Sequence, residues 1–180
     1  MMQSPANAIL AYFHAKDGNR PHRMAQAFTE DASLQVLVRQ GAIAFPPVSN
    51  GRDAITDTLV RRFALTYENV YTFCLSKPPA PSDPALSCDW LVVMTEKDSR
   101  AVRVGCGRYD WCFDPASGLA CTLDIRIEAM QTLPPDTVND IMQWASALPY
   151  PWCSSEQALH SAPPLQDLSP VLAYIATENT

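Results

Sequence analysis

The sequence predicts an α+β domain in which helices come first and an antiparallel meander follows. Three observations carry this. Apolar side chains recur at helical spacing through the first third of the chain. Stretches rich in β-branched and aromatic residues then occupy Glu68 to Ser76, Cys88 to Glu96, Ala101 to Phe113 and Leu119 to Gln131. The turn sequences Lys97-Asp98 and Asp114-Pro115-Ala116-Ser117-Gly118 are short enough to fold consecutive strands into hairpins. Helices grouped ahead of strands mean α+β rather than alternating α/β.

Taken in order, Pro5 to Asp17 carries Ile9, Leu10 and Phe13 with Ala6 and Tyr12 beside them, the stripe of a helix that Gly18-Asn19 ends. Pro21 suits a first helical position, so a short second helix is expected through Met24, Ala25, Ala27 and Phe28 to a break at Thr29-Glu30-Asp31. Ser33 to Arg39 alternates as a strand, and Gly41 to Asn50, with Pro46-Pro47, reads as a loop. From about Gly51, Ile55, Leu59 and Phe63 share one face of a third helix. After the strands, Val138, Ile141, Met142 and Ala145 predict another amphipathic helix capped by Asp136 or Thr137. Beyond Pro149 the chain reads as irregular until Ser169-Pro170 opens a last short helix through Tyr174.

A chain of 180 residues, 47% hydrophobic, builds one sizeable core, so residues 1–133 are read as the domain and 134–180 as a helix and proline-rich extension packed on it. The formal net charge of -6 argues against capture of nucleic acid or an anionic membrane and leaves small molecules or proteins as partners. The start, Met1-Met2-Gln3-Ser4-Pro5, has neither the basic residues nor the apolar run of a secretory signal, and no stretch approaches a membrane span, so a cytoplasmic location is expected. The six cysteines, at 74, 88, 106, 112, 121 and 153, form no Cys-x-x-Cys pair and read as reduced core thiols.

Phe28-Thr-Glu-Asp-Ala32, Asn50-Gly-Arg-Asp-Ala-Ile55 and Gly107-Arg-Tyr-Asp-Trp-Cys-Phe-Asp114 followed by Gly118 stand in order between the expected elements. In these motifs residues 5–133 resemble the SnoaL-like, or nuclear-transport-factor-two-like, superfamily. The resemblance implies a cone: a curved, mainly antiparallel sheet wrapped around the N-terminal helices, with an internal pocket. It also implies a homodimer. The superfamily includes isomerases, cyclases, epoxide hydrolases, dehydratases and binding proteins, so the pocket residues must decide function.

Pairing across the Asp114 to Gly118 turn sets Tyr109 against Leu123, Trp111 against Cys121, Arg108 against Asp124 and Cys106 against Arg126. Tyr109, Trp111, Phe113, Leu119, Cys121, Leu123, Ile125 and Ile127 then form an apolar face over the pocket. Arg108, Asp110, Thr122, Asp124, Arg126 and Glu128 form the opposite, polar one.

Steroid isomerases of the superfamily hold an oxyanion between a first-helix tyrosine and a protonated aspartate. The matching positions here are Tyr12 and Tyr109, and a phenol donates as a protonated acid does. Their general base lies before the Gly-Arg of the third helix, but no acidic residue stands between Asp31 and Asp53. The epoxide hydrolases join two aspartates through an arginine, residue types that Arg108, Asp110 and Asp124 supply, though one strand later and on the outer face.

The candidate ligand-binding set is therefore Tyr12, Phe28, Tyr109, Trp111 and His14, around a small apolar or aromatic molecule. Neither a metal nor a cofactor is expected, because His14, His22 and His160 converge on no ligand spacing and no phosphate loop is present. The tail carries Trp144, Leu148, Tyr150 and Trp152, too much apolar surface to leave in water; it is expected to dock on its own domain, close the pocket or join two subunits.

Overall fold

A computed structural model describes residues 2–177. The first helix, α1, spans Pro5–Asp17. Ser4 caps it by accepting the Asn7 N–H at 3.2 Å, Pro5 enters without an N–H to lose, and Gly18 stops it. Burial extends nearly all round α1, because the sheet wraps it.

Pro21–Gln26 is a tight 3-10 turn, and the strand β1 begins at once, at Phe28, running to Val38. The expected helix through Phe28 is thus corrected. Phe28 pairs with Ala120, and the half-buried Thr29 and exposed Glu30-Asp31 fall where the register shifts, a bulge rather than a break. A short β2, Val48–Asn50, pairs with β1 inside what reads as a loop. Next come α2 (Arg52–Thr56), a wide π turn (Asp57–Arg61) and α3 (Phe63–Thr66).

The meander follows as β3 (Tyr67–Cys74), β4 (Ala85–Glu96), β5 (Val102–Phe113) and β6 (Ala120–Leu133), in a curved six-stranded sheet ordered β2-β1-β6-β5-β4-β3. Among the named strands of the described residues only β1 and β6 pair in parallel; the fold is α+β, as the order of elements predicts.

The β5–β6 hairpin differs from the expected pairing by two residues: Tyr109 lies opposite Ile125, Trp111 opposite Leu123, Arg108 opposite Arg126 and Asp110 opposite Asp124. The turn, with Gly118 at φ 74°, supplies one residue of the shift by setting Phe113 opposite Ala120, and the bulge that follows supplies the other. A shift of two preserves which face each side chain takes, so the apolar and polar faces stay as read. Leu119, which falls before β6 and yields its place opposite Phe113 to Ala120, is one exception, and Cys121 is the other. It is the extra residue of a bulge beside Cys112–Phe113 and is half-exposed, and Cys112 is exposed on the convex side; the other four thiols are buried. Cys106 meets Ala129 instead of Arg126, because a second bulge at Glu128 changes the alternation there.

Two cores result. The concave one gathers α1, the α2–α3 segment and Trp90, Tyr109, Trp111, Leu123 and Ile125. The convex one forms where α4 (Val138–Ala147), α5 (Ser155–His160) and α6 (Ser169–Thr177) pack over Phe73, Leu91, Val93, Val104 and Ala129. The Thr137 side chain does not cap α4; its hydroxyl donates to the Pro134 carbonyl at 2.7 Å. Helix α5 was not anticipated; Ser154 and Gln157 close a capping box at its start. The segment before it shields the edge of β3: the Cys74 N–H donates to the Pro151 carbonyl at 2.9 Å and the Cys153 N–H to the Cys74 carbonyl at 3.0 Å. Among the described residues no helix is long and apolar enough to cross a membrane.

Candidate functional site: an aromatic cavity

Strand alternation sends Trp90, Val92 and Met94 of β4, Tyr109 of β5, and Ile125 and Ile127 of β6 to the concave side. With Tyr12 and Lys16 of α1, Leu59 and Phe63, they enclose a cavity of about 40 Å³. Ile43 and Phe45, from the loop 39–47, also line it. Arg103 pins that loop, its guanidinium donating to the Ala42 carbonyl at 2.7 Å while pairing with Glu96 at 2.6 Å. Ile43, Phe45 and Phe63 also border a second, outer lobe of about 290 Å³, whose polar residues are Thr58, Arg62, Thr66 and Tyr67.

Tyr12 and Tyr109 both line the inner cavity, each close to Trp111, with ring centres 5.6 Å and 5.7 Å from it. They are 1% and 3% exposed, and burial, the main cause, raises both phenols well above their ordinary range. Both therefore stay protonated, able to donate. Trp90 is 3% exposed, and its indole N–H is buried with no hydrogen-bond partner. The Trp111 indole N–H is likewise without a partner, but Trp90 is the one of the two that lines the cavity, and a buried donor left unpaired calls for an acceptor.

Lys16 is 7% exposed and already committed. Its Nζ donates to Thr72 Oγ1 at 2.6 Å, pairs with Asp17 at 3.1 Å and lies 4.8 Å from the centre of the Phe63 ring. Asp17 in turn accepts the Thr72 N–H and hydroxyl, each at 2.8 Å, and the Tyr150 hydroxyl at 3.1 Å. No carboxylate or imidazole lines the inner cavity. Among the described residues no group of three His, Cys, Asp or Glu is placed to hold a metal ion.

The remaining sequence-selected residues stand away from the cavity. Trp111 lies two residues from Tyr109 toward the hairpin turn, where it stacks on Phe28 at 5.9 Å and meets Tyr12 edge-on at 5.6 Å. Phe28 is held there by its pairing with the first residue of β6. His14 points off the other side of α1 and stacks on Tyr150 at 6.3 Å; partial burial, then Arg23 and Arg20, lower its pKa. Arg108, Asp110, Asp124 and Arg126 lie outside the inner cavity, with Arg108 3.4 Å from Asp89 and Arg126 3.9 Å from Asp110. Sequence reasoning missed Lys16, Trp90, Met94, Phe45 and Arg62. The β4 alternation carried a signal for Trp90 and Met94, and the four-residue step from Tyr12 one for Lys16.

No family model matches the sequence, and no curated protein matches it. Solved structures do share its fold. An NTF2-like protein of unknown function from Exiguobacterium sp. 255-15 is 17% identical, the match covering 67% of this chain and 97% of that one at a TM-score of 0.50. A type 2 hexachlorocyclohexane dehydrochlorinase is 12% identical, over 71% of this chain and 84% of that one, at 0.56. A Mycobacterium tuberculosis protein in complex with estradiol-17beta-hemisuccinate is 13% identical, over 68% and 93%, at 0.54.

Proposed function

We propose that this chain, which has the fold of the NTF2-like proteins, binds a small apolar or aromatic ligand bearing a hydrogen-bond acceptor and performs no proton abstraction on it. The observation that carries this reading is the unpartnered indole N–H of Trp90, a residue of the mainly apolar, aromatic wall to which Tyr12 and Tyr109 also belong. A carbonyl oxygen placed there would satisfy the indole and find a phenol within the same cavity. An isomerase-type step needs a group of moderate pKa to carry the proton, and the cavity wall holds only Lys16, tied to Asp17, and two phenols raised by burial. The Mycobacterium tuberculosis relative with its bound estradiol ester supports small-molecule binding in this fold.

At about 40 Å³ the inner cavity is far smaller than the ~300 Å³ and above typical of ligand pockets, so Ile43 and Phe45 must swing aside to admit a ring. Acetophenone and ethylbenzene differ in their acceptor and test the reading directly. In an NMR titration acetophenone should shift the Trp90 indole N–H downfield and ethylbenzene should not. Trp90→Phe should weaken acetophenone by roughly fivefold, about 1 kcal/mol, with little change for ethylbenzene. An unmoved Trp90 signal at saturating acetophenone would rule the reading out.

The six free cysteines support a reducing, cytoplasmic setting. We further propose a symmetric dimer through the part of the convex face that the C-terminal helices leave open. There Leu37 and Val48 are 55% and 52% exposed, beside Asp110, Asp124 and Arg126. A two-fold axis would set the arginine of one copy near the carboxylates of the other. Light scattering should give twice the monomer mass at tens of micromolar, and a monomer mass throughout a concentration series would refute the dimer.

A further inference from the structure

We propose that the ligand is an acid, with an aromatic or aliphatic body in the inner cavity and an anionic group held by Arg62 in the outer lobe. This rests on the ligand-binding reading above and adds the ligand's charge and direction. The two lobes share Ile43, Phe45 and Phe63 as a common wall, so the same swing of Ile43 and Phe45 that admits a ring to the inner cavity would join the two.

Charge then decides which end goes where. The chain carries a formal net charge of -6, yet the charged side chains lining the two lobes are Lys16 and Arg62, both cationic. Lys16 is spent on Asp17 and Thr72. Arg62 forms no ion pair among the described residues, while its neighbour Arg61 takes Asp57 at 3.0 Å. A guanidinium free of carboxylates, at the rim of a space otherwise lined by apolar and hydroxyl groups, matches a carboxylate in geometry as well as sign.

The backbone arranges this division. In the π turn the Arg62 N–H reaches back to the Asp57 carbonyl at 2.9 Å, and the next residue, Phe63, is a wall of both lobes. Such widened turns interrupt the regular helical spacing and recur at functional sites. Thr66 and Tyr67, on the same outer wall, carry hydroxyls that can donate to the same anion. Burial raises the Tyr67 phenol, keeping it protonated.

The test uses 4-phenylbutyrate and 4-phenylbutan-1-ol, which share a body and differ in the charge of one end. Their affinities are read by NMR from the side-chain methyls of Ile43 and Met94. The acid should bind about fivefold more tightly than the alcohol at low salt; Arg62→Gln should erase that advantage and Arg62→Lys, which keeps the charge but not the planar fork, should keep only part of it. Equal affinities in the unaltered protein, or an advantage that survives Arg62→Gln, would overturn the inference. If the alcohol binds and the acid does not, the cavity reading stands and this one falls. If neither probe moves the cavity methyls, both fall together.

Discussion

Asp17→Ala will destabilise the protein by about 3–5 kcal/mol. The carboxylate is only 8% exposed and serves four groups at once: the Lys16 ammonium, the Thr72 N–H, the Thr72 hydroxyl and the Tyr150 hydroxyl. Alanine leaves a buried cation without its counter-charge, and that desolvated charge is the largest part of the loss. Lys16→Met combined with Asp17→Ala should recover a large share, because the cation is then gone and the methionine still fills the space against Phe63. Urea unfolding with an unchanged m-value measures both. A cost under about 1 kcal/mol for Asp17→Ala would mean that solvent reaches the Lys16 ammonium in solution.

Two glycines on β5 make the second large effect separable from its bland alternative. A methyl at Gly107 would overlap the Arg126 carbonyl oxygen and come 2.8 Å from Trp90 Cζ2. Both obstacles are held, one by the β5–β6 ladder and the other by stacking of Trp90 on Tyr109 at 5.5 Å. Gly107→Ala should therefore lower stability by about 3 kcal/mol, at the upper end of overpacking costs. At Gly105 the methyl meets chiefly the Met130 thioether end, which can turn away, so Gly105→Ala should cost about 1 kcal/mol or less. Equal urea midpoints for the two variants would contradict the rigidity assigned to the Arg126–Gly107–Trp90 contact.

The elements legible in the sequence were those whose evidence is local. Helix α1 showed through its apolar stripe and its stop at Gly18, and the last four strands showed through alternation and turn residues. Bulges were not legible. The one beside Cys112 removed Cys121 from the concave face, and the one before Ser33 joined Phe28 to a strand that otherwise reads as starting five residues later. Three-residue β2 has no periodicity to detect and exists because β1 offers it an edge.

The candidate site divides along the same line. Tyr12 and Tyr109 were found through the family resemblance, whereas Phe28 and Trp111 share the concave face but sit at a different level of it, outside the cavity. Face follows from parity; level along the strands follows from register, which local patterns do not carry. The contributions of Phe45 and Arg62 depend on how a loop and a π turn meet, and single-sequence periodicity is silent on both.

The covering of the convex face by α4, α5 and α6 has a bearing on how the protein comes to be made. Synthesis proceeds from the N-terminus, so all six strands are complete before the residues that shield Phe73, Leu91, Val93 and Val104 have been joined to the chain. At ordinary translation rates of about 5–20 residues per second, a nascent sheet would present that greasy surface for several seconds, until Val171 and Ile175 arrive to close over it.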